Sequence, residues 1–441
     1  MVDPVRVGMV GMGTVGQGTV RVLTQNAAEI TRRVGRELRL VHVCVRTPSR
    51  LENLGFAGRV STDPWALVGD PELDVLVEVM GGTDLARELL LAAIAAGKHV
   101  VTANKALLAE HGEEIFAAAQ RHGVMVAFEA AVAGAIPIIK AVREGLAGNR
   151  IHWVAGIING TSNYILSQMF REGWSFAEAL SKAQELGYAE ADPSLDVDGG
   201  DAAHKITLMA SIAFGIPVSF AHCHVEGIRQ LQGVDVAFAA ELGYRIKLLG
   251  VARRRAQGVE LRVHPTLIPA DHLLAHVEGP FNAILVDSDA AGQSLYYGRG
   301  AGGDPTASAI VADLVDVART MTADPSHRVP HLAFQADALE PLPLLSVSEI
   351  QCAYYLRIQA ENRPGVLAQV ATLLAEQGIS IEALVQKEIP GAASVPIVLL
   401  LQQCREGDLD VALQRIQALP VVAEPILRLR VETLREEESF S

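Results

Sequence analysis

Lys205 follows Asp201 by four residues, so on a helix the two share a face. The stretch that leads into them sets Glu190, Asp192, Asp196 and Asp198 among glycines and a proline. An ammonium group held beside a carboxylate can stabilise negative charge that grows on a carbonyl oxygen and can hand that oxygen a proton. So many carboxylates repel one another unless cations answer them, and a substrate that carries an amino group, together with Lys205, would do so. Taken alone, the stretch reads first as a solvated acidic turn ahead of an i,i+4 salt bridge. Features elsewhere in the chain reverse that preference.

A second set of residues has the spacing to hold a dinucleotide. Val5 to Val10 is an apolar run of strand length that leads into Gly11-Met12-Gly13-Thr14-Val15-Gly16, and Gln17 to Gln25 reads as a helix. In that context Gly11 makes the turn, Gly13 lets the backbone approach a pyrophosphate, and Gly16 packs helix on strand. The helix N-terminus then supplies donors and partial positive charge for the phosphates, the plainer alternative being a chance glycine turn. After the next strand, Leu38 to Val45, come Arg46 and Arg50 with no carboxylate close behind. Asp or Glu usually holds a ribose 2′-hydroxyl there and Arg a 2′-phosphate, so NADP(H) is expected over NAD(H). An Arg46 that stacks on adenine or faces water fits the same position.

These groups need a scaffold. Val75 to Val79 is a strand closed by Gly81-Gly82-Thr83, Leu85 to Ala96 a helix, and His99 to Val101 another strand. Such alternation means a doubly wound parallel sheet, which binds ligands beyond the C-terminal strand ends. Thr102-Ala103-Asn104-Lys105 sits at one of those ends, so topology places Lys105 at the crevice, unless it is a solvated lysine at a helix start. After the strand Val124 to Phe128, Glu129 opens Ala130-Ala131-Val132-Ala133-Gly134-Ala135-Ile136-Pro137. A lone carboxylate in an apolar loop needs a partner, either a cation shared with inward-turned carbonyls or a helix end that it caps.

From Pro137 the alternation fades. A domain of α+β type runs to about Gly303, with strands expected at Ile151 to Ile158, Gly227 to Gln230, Arg245 to Ala252, Glu260 to Leu267 and Asn282 to Asp287. Asn159-Gly160-Thr161-Ser162-Asn163-Tyr164 is a polar turn with Ser162 or Thr161 as N-cap. In the second glycine-rich run, Gly298 to Pro305, Asp304 is expected to cap a helix with Pro305 at its first position. Gly302 and its neighbours there would let the backbone close on the far end of a dinucleotide. Prolines 325, 330, 341 and 343 mark a linker, and a βαββαβ order follows. The chain is thus α/β, divided as 1–136 with a returning helix at 304–322, 137–303, a linker at 323–352, 353–432, and a tail at 433–441.

Half of the 441 residues are hydrophobic and 20% are charged, as in a packed enzyme, and the net charge of -14 disfavours nucleic acid and anionic membrane surfaces. Cys44, Cys223, Cys352 and Cys404 are far apart, without metal-site or disulfide spacing, so a cytoplasmic location is expected. Neither a signal peptide nor a membrane-spanning run is evident.

The blocks Gly11 to Gly16, Thr102 to Lys105, Phe128 to Gly134, Gly156 to Tyr164, and Gly187-Tyr188-Ala189-Glu190 through Asp201 to Lys205 stand in one order that resembles the homoserine dehydrogenase family over essentially the whole chain. The C-terminal part resembles an ACT domain and the N-terminal part a Rossmann-type domain. The resemblance implies reversible hydride transfer between NAD(P)H and L-aspartate 4-semialdehyde, giving L-homoserine. It implies that Lys205, with Lys105 as alternate, serves the reacting oxygen, and that Glu190, Asp196, Asp201 and Thr161 hold substrate. Gly11, Gly13, Thr14, Val15, Gly16, Arg46, Thr83, Lys105, Gly187, Glu190 and Gly302 would meet the cofactor. Glu129 with the carbonyls of Val132, Gly134 and Ile136 would hold a monovalent cation, sodium. A homodimer or dimer of dimers and threonine feedback through the ACT-like module belong to the same picture. Another amino-acid dehydrogenase of this architecture and a non-catalytic amino-acid sensor are the rival expectations.

Overall fold

The computed structural model describes residues 3–51, 54–387 and 392–434. The Arg50 side chain and, from residue 435, the expected acidic tail lie outside the described residues. The chain opens as β1 (Val5–Val10), α1 (Thr14–Gln25), α2 (Ala27–Val34), β2 (Leu38–Cys44), β3 (Arg59–Ser61) and α3 (Trp65–Val68). Next come β4 (Val75–Glu78), α4 (Asp84–Ala95), β5 (His99–Thr102), α5 (Lys105–His122) and β6 (Val126–Ala127). The six strands form one sheet in the order β3-β2-β1-β4-β5-β6, paired in parallel. A parallel sheet covered on both faces needs apolar side chains on both: Val7, Met9, Val75, Val77 and Val101 are buried on one face and Val10, Leu76 and Val100 on the other.

The order continues with α6 (Ile138–Lys140), β7 (Ile151–Ile157), α7 (Gly160–Glu172), α8 (Phe176–Glu185), α9 (Ser194–Val197) and α10 (Gly200–Phe214). Then follow β8 (His224–Val225), α11 (Gly233–Glu241), β9 (Tyr244–Arg255), β10 (Gly258–Pro269), β11 (Phe281–Ser288), β12 (Gly292–Arg299) and α12 (Gly303–Thr320). Residues 1–154, 204–221 and 282–342 make one compact unit; residues 155–203, 222–281 and 343–441 make a second. The chain passes from one to the other within β7 and again within α10.

In the first unit α12 packs along α1. A Cβ at Gly18 would lie 2.6 Å from the Gly303 carbonyl oxygen, and one at Gly303 would lie 2.9 Å from the Thr14 oxygen, so glycine is what allows the approach. The start of α12 differs from expectation: Gly302, at φ 123°, is the N-cap, and Pro305 is the third helical residue. The first turn of a helix spends no intrahelical N–H, so proline is tolerated there. The Asp304 carboxylate instead accepts from Arg21 Nη2 at 2.6 Å.

In the second unit β9 and β10 pair along their whole length as an antiparallel hairpin. The C-terminal module is β13 (Gln351–Glu361), α13 (Val366–Ala375), β14 (Ile381–Gln386), β15 (Ser394–Arg405), α14 (Glu406–Gln417) and β16 (Leu427–Val431), the βαββαβ order read from the sequence. Its strands lie as β16-β13-β15-β14, and β16 also pairs in parallel with β10 through Thr266–Arg430 and Leu267–Val431, so module and hairpin share one sheet. The strand expected at Gly227 to Gln230 is not one. Just before it His224 and Val225 pair with β10, while Ile228 N–H donates to the Val197 carbonyl at 2.8 Å, away from the sheet. Among the described residues no helix is long and apolar enough to cross a membrane.

Candidate active site

The crevice at the C-terminal strand ends of the first unit is built from glycines. Gly11 has φ 107°, and a Cβ there would lie 2.5 Å from the Val79 carbonyl oxygen. A Cβ at Gly16 would lie 2.4 Å from the Gly11 oxygen, which seats α1 on the turn. Gly13 differs: nothing lies within 4 Å of its Cβ position, and it caps α1 without a side-chain hydrogen bond. The N–H groups at Thr14 and Val15 therefore stand at a helix end with open space before them, a cradle that fits an anionic pyrophosphate. Gly302 lies at the start of α12, the helix packed on Thr14. Arg46 is exposed just past β2.

Lys105 is the first residue of α5, and a chain of polar contacts fixes that helix start. Asn104 is the N-cap: its Oδ1 accepts from Leu107 N–H at 3.2 Å, and its Nδ2 donates to the Gly82 carbonyl at 2.7 Å. Glu78, fully buried at the end of β4, accepts from Thr102 Oγ1 at 2.7 Å and from the N–H groups of Met80 and Gly81 at 2.8 and 3.2 Å. One carboxylate thus ties the Gly81-Gly82-Thr83 turn to the strand end before Lys105. Sequence reasoning missed Glu78, and the available signal was a charge ending an otherwise apolar strand.

The acidic stretch is organised in the second unit by Asn159. This residue, rather than Thr161 or Ser162, is the N-cap of α7, its Oδ1 accepting from Ser162 N–H at 2.8 Å. Its Nδ2 donates to Asp196 Oδ1 at 2.7 Å and to Asp201 Oδ2 at 2.8 Å, so one amide nitrogen holds two carboxylates. The Ser162 hydroxyl donates to the Asp196 carbonyl at 3.0 Å and the Thr161 hydroxyl to the Tyr188 carbonyl at 2.6 Å. Asp198 is paired with Arg229 at 2.5 and 3.1 Å, and Asp192 accepts from Ser194 N–H at 3.1 Å. Part of the expected repulsion is therefore answered by the protein itself. Glu190 and Gly187 are exposed, while Asp201 and Lys205 are both buried, one turn apart on α10.

Glu129 is buried in the first unit and accepts from Ile139 N–H at 2.8 Å and Lys140 N–H at 3.0 Å, capping α6. Its own N–H donates to Asp313 Oδ2 at 2.8 Å. Burial raises the Glu129 carboxyl, and burial reinforced by Glu129 pushes Asp313 up to about 8. Ala133 and Gly134 are both left-handed, at φ 55° and 56°, an arrangement that re-aims successive carbonyls within the loop. A Cβ at Gly134 would lie 2.6 Å from the Gly300 carbonyl oxygen. A buried carboxylate beside turned carbonyls fits a hard cation, so both readings of Glu129, cap and ligand, are compatible with the loop. A cavity of about 860 Å³ under the 325–341 segment, lined by Phe116, Met125, His331 and Phe334, includes none of these residues.

Comparison with known proteins adds the following. Family profiles match over residues 11–129 (homoserine dehydrogenase, NAD binding domain), 137–315 (homoserine dehydrogenase) and 354–421 (ACT domain). The homoserine dehydrogenase of Pseudomonas aeruginosa is 56% identical over 432 residues, 98% of this chain and 99% of that protein. That of Neisseria gonorrhoeae is 52% identical over 433 residues, 98% and 100% of the two chains. Among solved structures, a homoserine dehydrogenase from Thiobacillus denitrificans is 57% identical with a TM-score of 0.94, over 98% of this chain and 99% of its own. A hyperthermophilic archaeal homoserine dehydrogenase in complex with NADPH is 26% identical with a TM-score of 0.63, over 73% of this chain and 99% of its own.

Asn159→Ala removes a helix cap and the donor shared by Asp196 and Asp201, and is expected to cost about 1–3 kcal/mol of stability. Thermal unfolding checks this, and an unchanged midpoint would show that the amide does not hold the loop.

Proposed function

Because the chain belongs to the homoserine dehydrogenase family, we propose that Lys205 is the residue that gives a proton to the oxygen of its aldehyde substrate. The enzyme is an oxidoreductase that interconverts L-aspartate 4-semialdehyde and L-homoserine. When bound, the reduced nicotinamide supplies the hydride to the aldehyde carbon. The charge that then develops on oxygen is met by the Lys205 ammonium, which releases its proton to form the alcohol; Lys105 is the alternate donor. The observation that carries this assignment is α10, which buries Asp201 and Lys205 one turn apart while Asn159 anchors the Asp201 carboxylate. Asp201, Asp196, Glu190 and Thr161 orient the substrate, its α-ammonium lying against the carboxylates.

NADP(H) is the proposed preferred cofactor, with NAD(H) accepted. In support, Arg46 stands exposed past β2 where a 2′-phosphate would want it, and the archaeal relative was solved with NADPH. Gly11, Gly13, Thr14, Val15 and Gly16 would receive the pyrophosphate, with Thr83, Lys105, Gly187, Glu190 and Gly302 as further cofactor contacts. Glu129 and the carbonyls of Val132, Gly134 and Ile136 would hold sodium, which would neutralise a buried charge. The C-terminal module would bind L-threonine at the loop from Asn362 to Leu367, where Gly365, at φ 91°, opens α13. A homodimer or a dimer of dimers, located in the cytoplasm, completes the proposal.

Lys205→Ala is expected to lower kcat by about 10²- to 10⁴-fold while NADPH affinity is kept; an unchanged kcat removes Lys205 from the chemistry. Sodium chloride is expected to raise the melting temperature above that in choline chloride at equal ionic strength, and Glu129→Gln to abolish the difference. If the two salts act alike on the unsubstituted protein, the cation assignment is wrong. Threonine titrated into the full-length protein is expected to inhibit it, and Asn362→Ala to weaken that inhibition. Equal inhibition of both proteins would take the loop out of the regulation.

A further inference from the structure

Along one edge of β10 two short strands lie end to end. β8 pairs at Arg262–His224 and Val263–Val225, and β16 pairs at Thr266–Arg430 and Leu267–Val431. Arg430, wholly buried, bridges them. Its Nη1 and Nη2 donate to Glu226 Oε2 and Oε1, both at 2.9 Å, while Nε donates to Glu406 Oε2 at 2.8 Å and Nη2 to Glu406 Oε1. His224 Nε2 lies 2.7 Å from Glu226 Oε1. Two bidentate forks on one guanidinium form a rigid joint that lysine cannot reproduce. Burial alone would raise the Glu226 carboxyl, but hydrogen bonds from His224 and Arg430 outweigh it and hold the group ionised.

The turn after Glu226 lies against the acidic stretch. Glu226 N–H donates to the Val263 carbonyl at 2.8 Å, and Ile228 N–H to the Val197 carbonyl at 2.8 Å. A Cβ at Gly227 would lie 2.3 Å from the Val197 oxygen and 2.5 Å from Asp198 Cα. Gly199, at φ 89°, has the Glu226 carbonyl 3.3 Å from its Cβ position. Arg229 then grips the Asp198 carboxylate and the Ser194 hydroxyl, the latter at 2.9 Å. Residues 197–199 lie between Asp196 and Asp201, so their placement sets where both carboxylates stand.

We propose that Arg430, on the last strand of the C-terminal module, is a positioning residue for the substrate: through Glu226 it holds the 226–229 turn against residues 197–199 and so sets Asp196 and Asp201. The inference rests on the reading that these carboxylates bind the substrate. It gives the module a part in substrate affinity whether or not an effector is bound. Neither Arg430 nor Glu226 touches the reacting atoms.

The test is steady-state kinetics on full-length variants whose unfolding midpoints are measured alongside. Glu226→Gln keeps the shape of the side chain and leaves Arg430 its fork on Glu406. It is expected to raise the KM for aspartate semialdehyde roughly tenfold while kcat and NADPH affinity stay within about twofold. Arg430→Lys, which keeps the charge and loses the fork, is expected to shift KM in the same direction. The double variant is expected to shift it no further than the larger single change, as for one coupled unit. Asp196→Asn, run in parallel, tests the underlying reading. If Asp196→Asn raises KM and a folded Glu226→Gln does not, the inference is overturned and the substrate assignment stands. If neither moves KM, the assignment of substrate to the acidic stretch falls and the inference falls with it. A loss of NADPH affinity equal to the loss of substrate affinity also overturns it, since that marks general loosening.

Discussion

Two carboxylates on one amide nitrogen are the constraint around which the acidic stretch of the second unit is arranged. Asp196 and Asp201 accept from the same Nδ2 of Asn159, and like charges brought together in a partly buried place raise each other's cost of ionisation. The structure meets that cost with dipoles: the amide and the start of α7 that it caps. Asp198, a few residues along, is neutralised by Arg229. The Asp196 and Asp201 carboxylates are thus held together in fixed geometry by one side chain.

The cofactor half follows a complementary rule, in which side chains are removed rather than added. Gly11, Gly16, Gly18 and Gly303 are positions where a Cβ would strike backbone atoms, and each brings a helix or strand closer than alanine would allow. Gly13 instead opens on space, just ahead of the first N–H groups of α1. Glu78 joins two strand ends through Thr102 and the Met80 and Gly81 amides.

Much of this was legible in the sequence because it is local. The glycine spacing after β1, the four-residue interval from Asp201 to Lys205 and the βαββαβ order of the C-terminal module depend on short-range periodicity, and the family profiles and the structure bear out the dinucleotide domain, the ACT domain and the enzyme class. The misreadings share a cause. Asn159, Thr161 and Ser162 are all capping residues by type, and only the long-range partners of Asn159 select it. Gly227 to Gln230 follows directly on the short strand β8, yet its Ile228 N–H donates to Val197 rather than to the sheet. Glu78, Arg229 and the Arg430 joint find their partners across tens to hundreds of residues, a distance at which pattern carries no information.

The pairing of β16 with β10 bears on how the chain is made. Strand β10 leaves the ribosome more than 150 residues before its neighbour Arg430 exists. Until then, Arg262 has Glu260 but lacks Glu432, its second carboxylate partner at 2.5 Å, and Glu226 has His224 but lacks Arg430. The hairpin of β9 and β10 therefore emerges with an open edge and charges that have only part of their final pairing. Vectorial synthesis thus postpones closure of this sheet until β16 has been made, and a nascent polypeptide released before then would leave an edge exposed for chaperones or for other chains to capture.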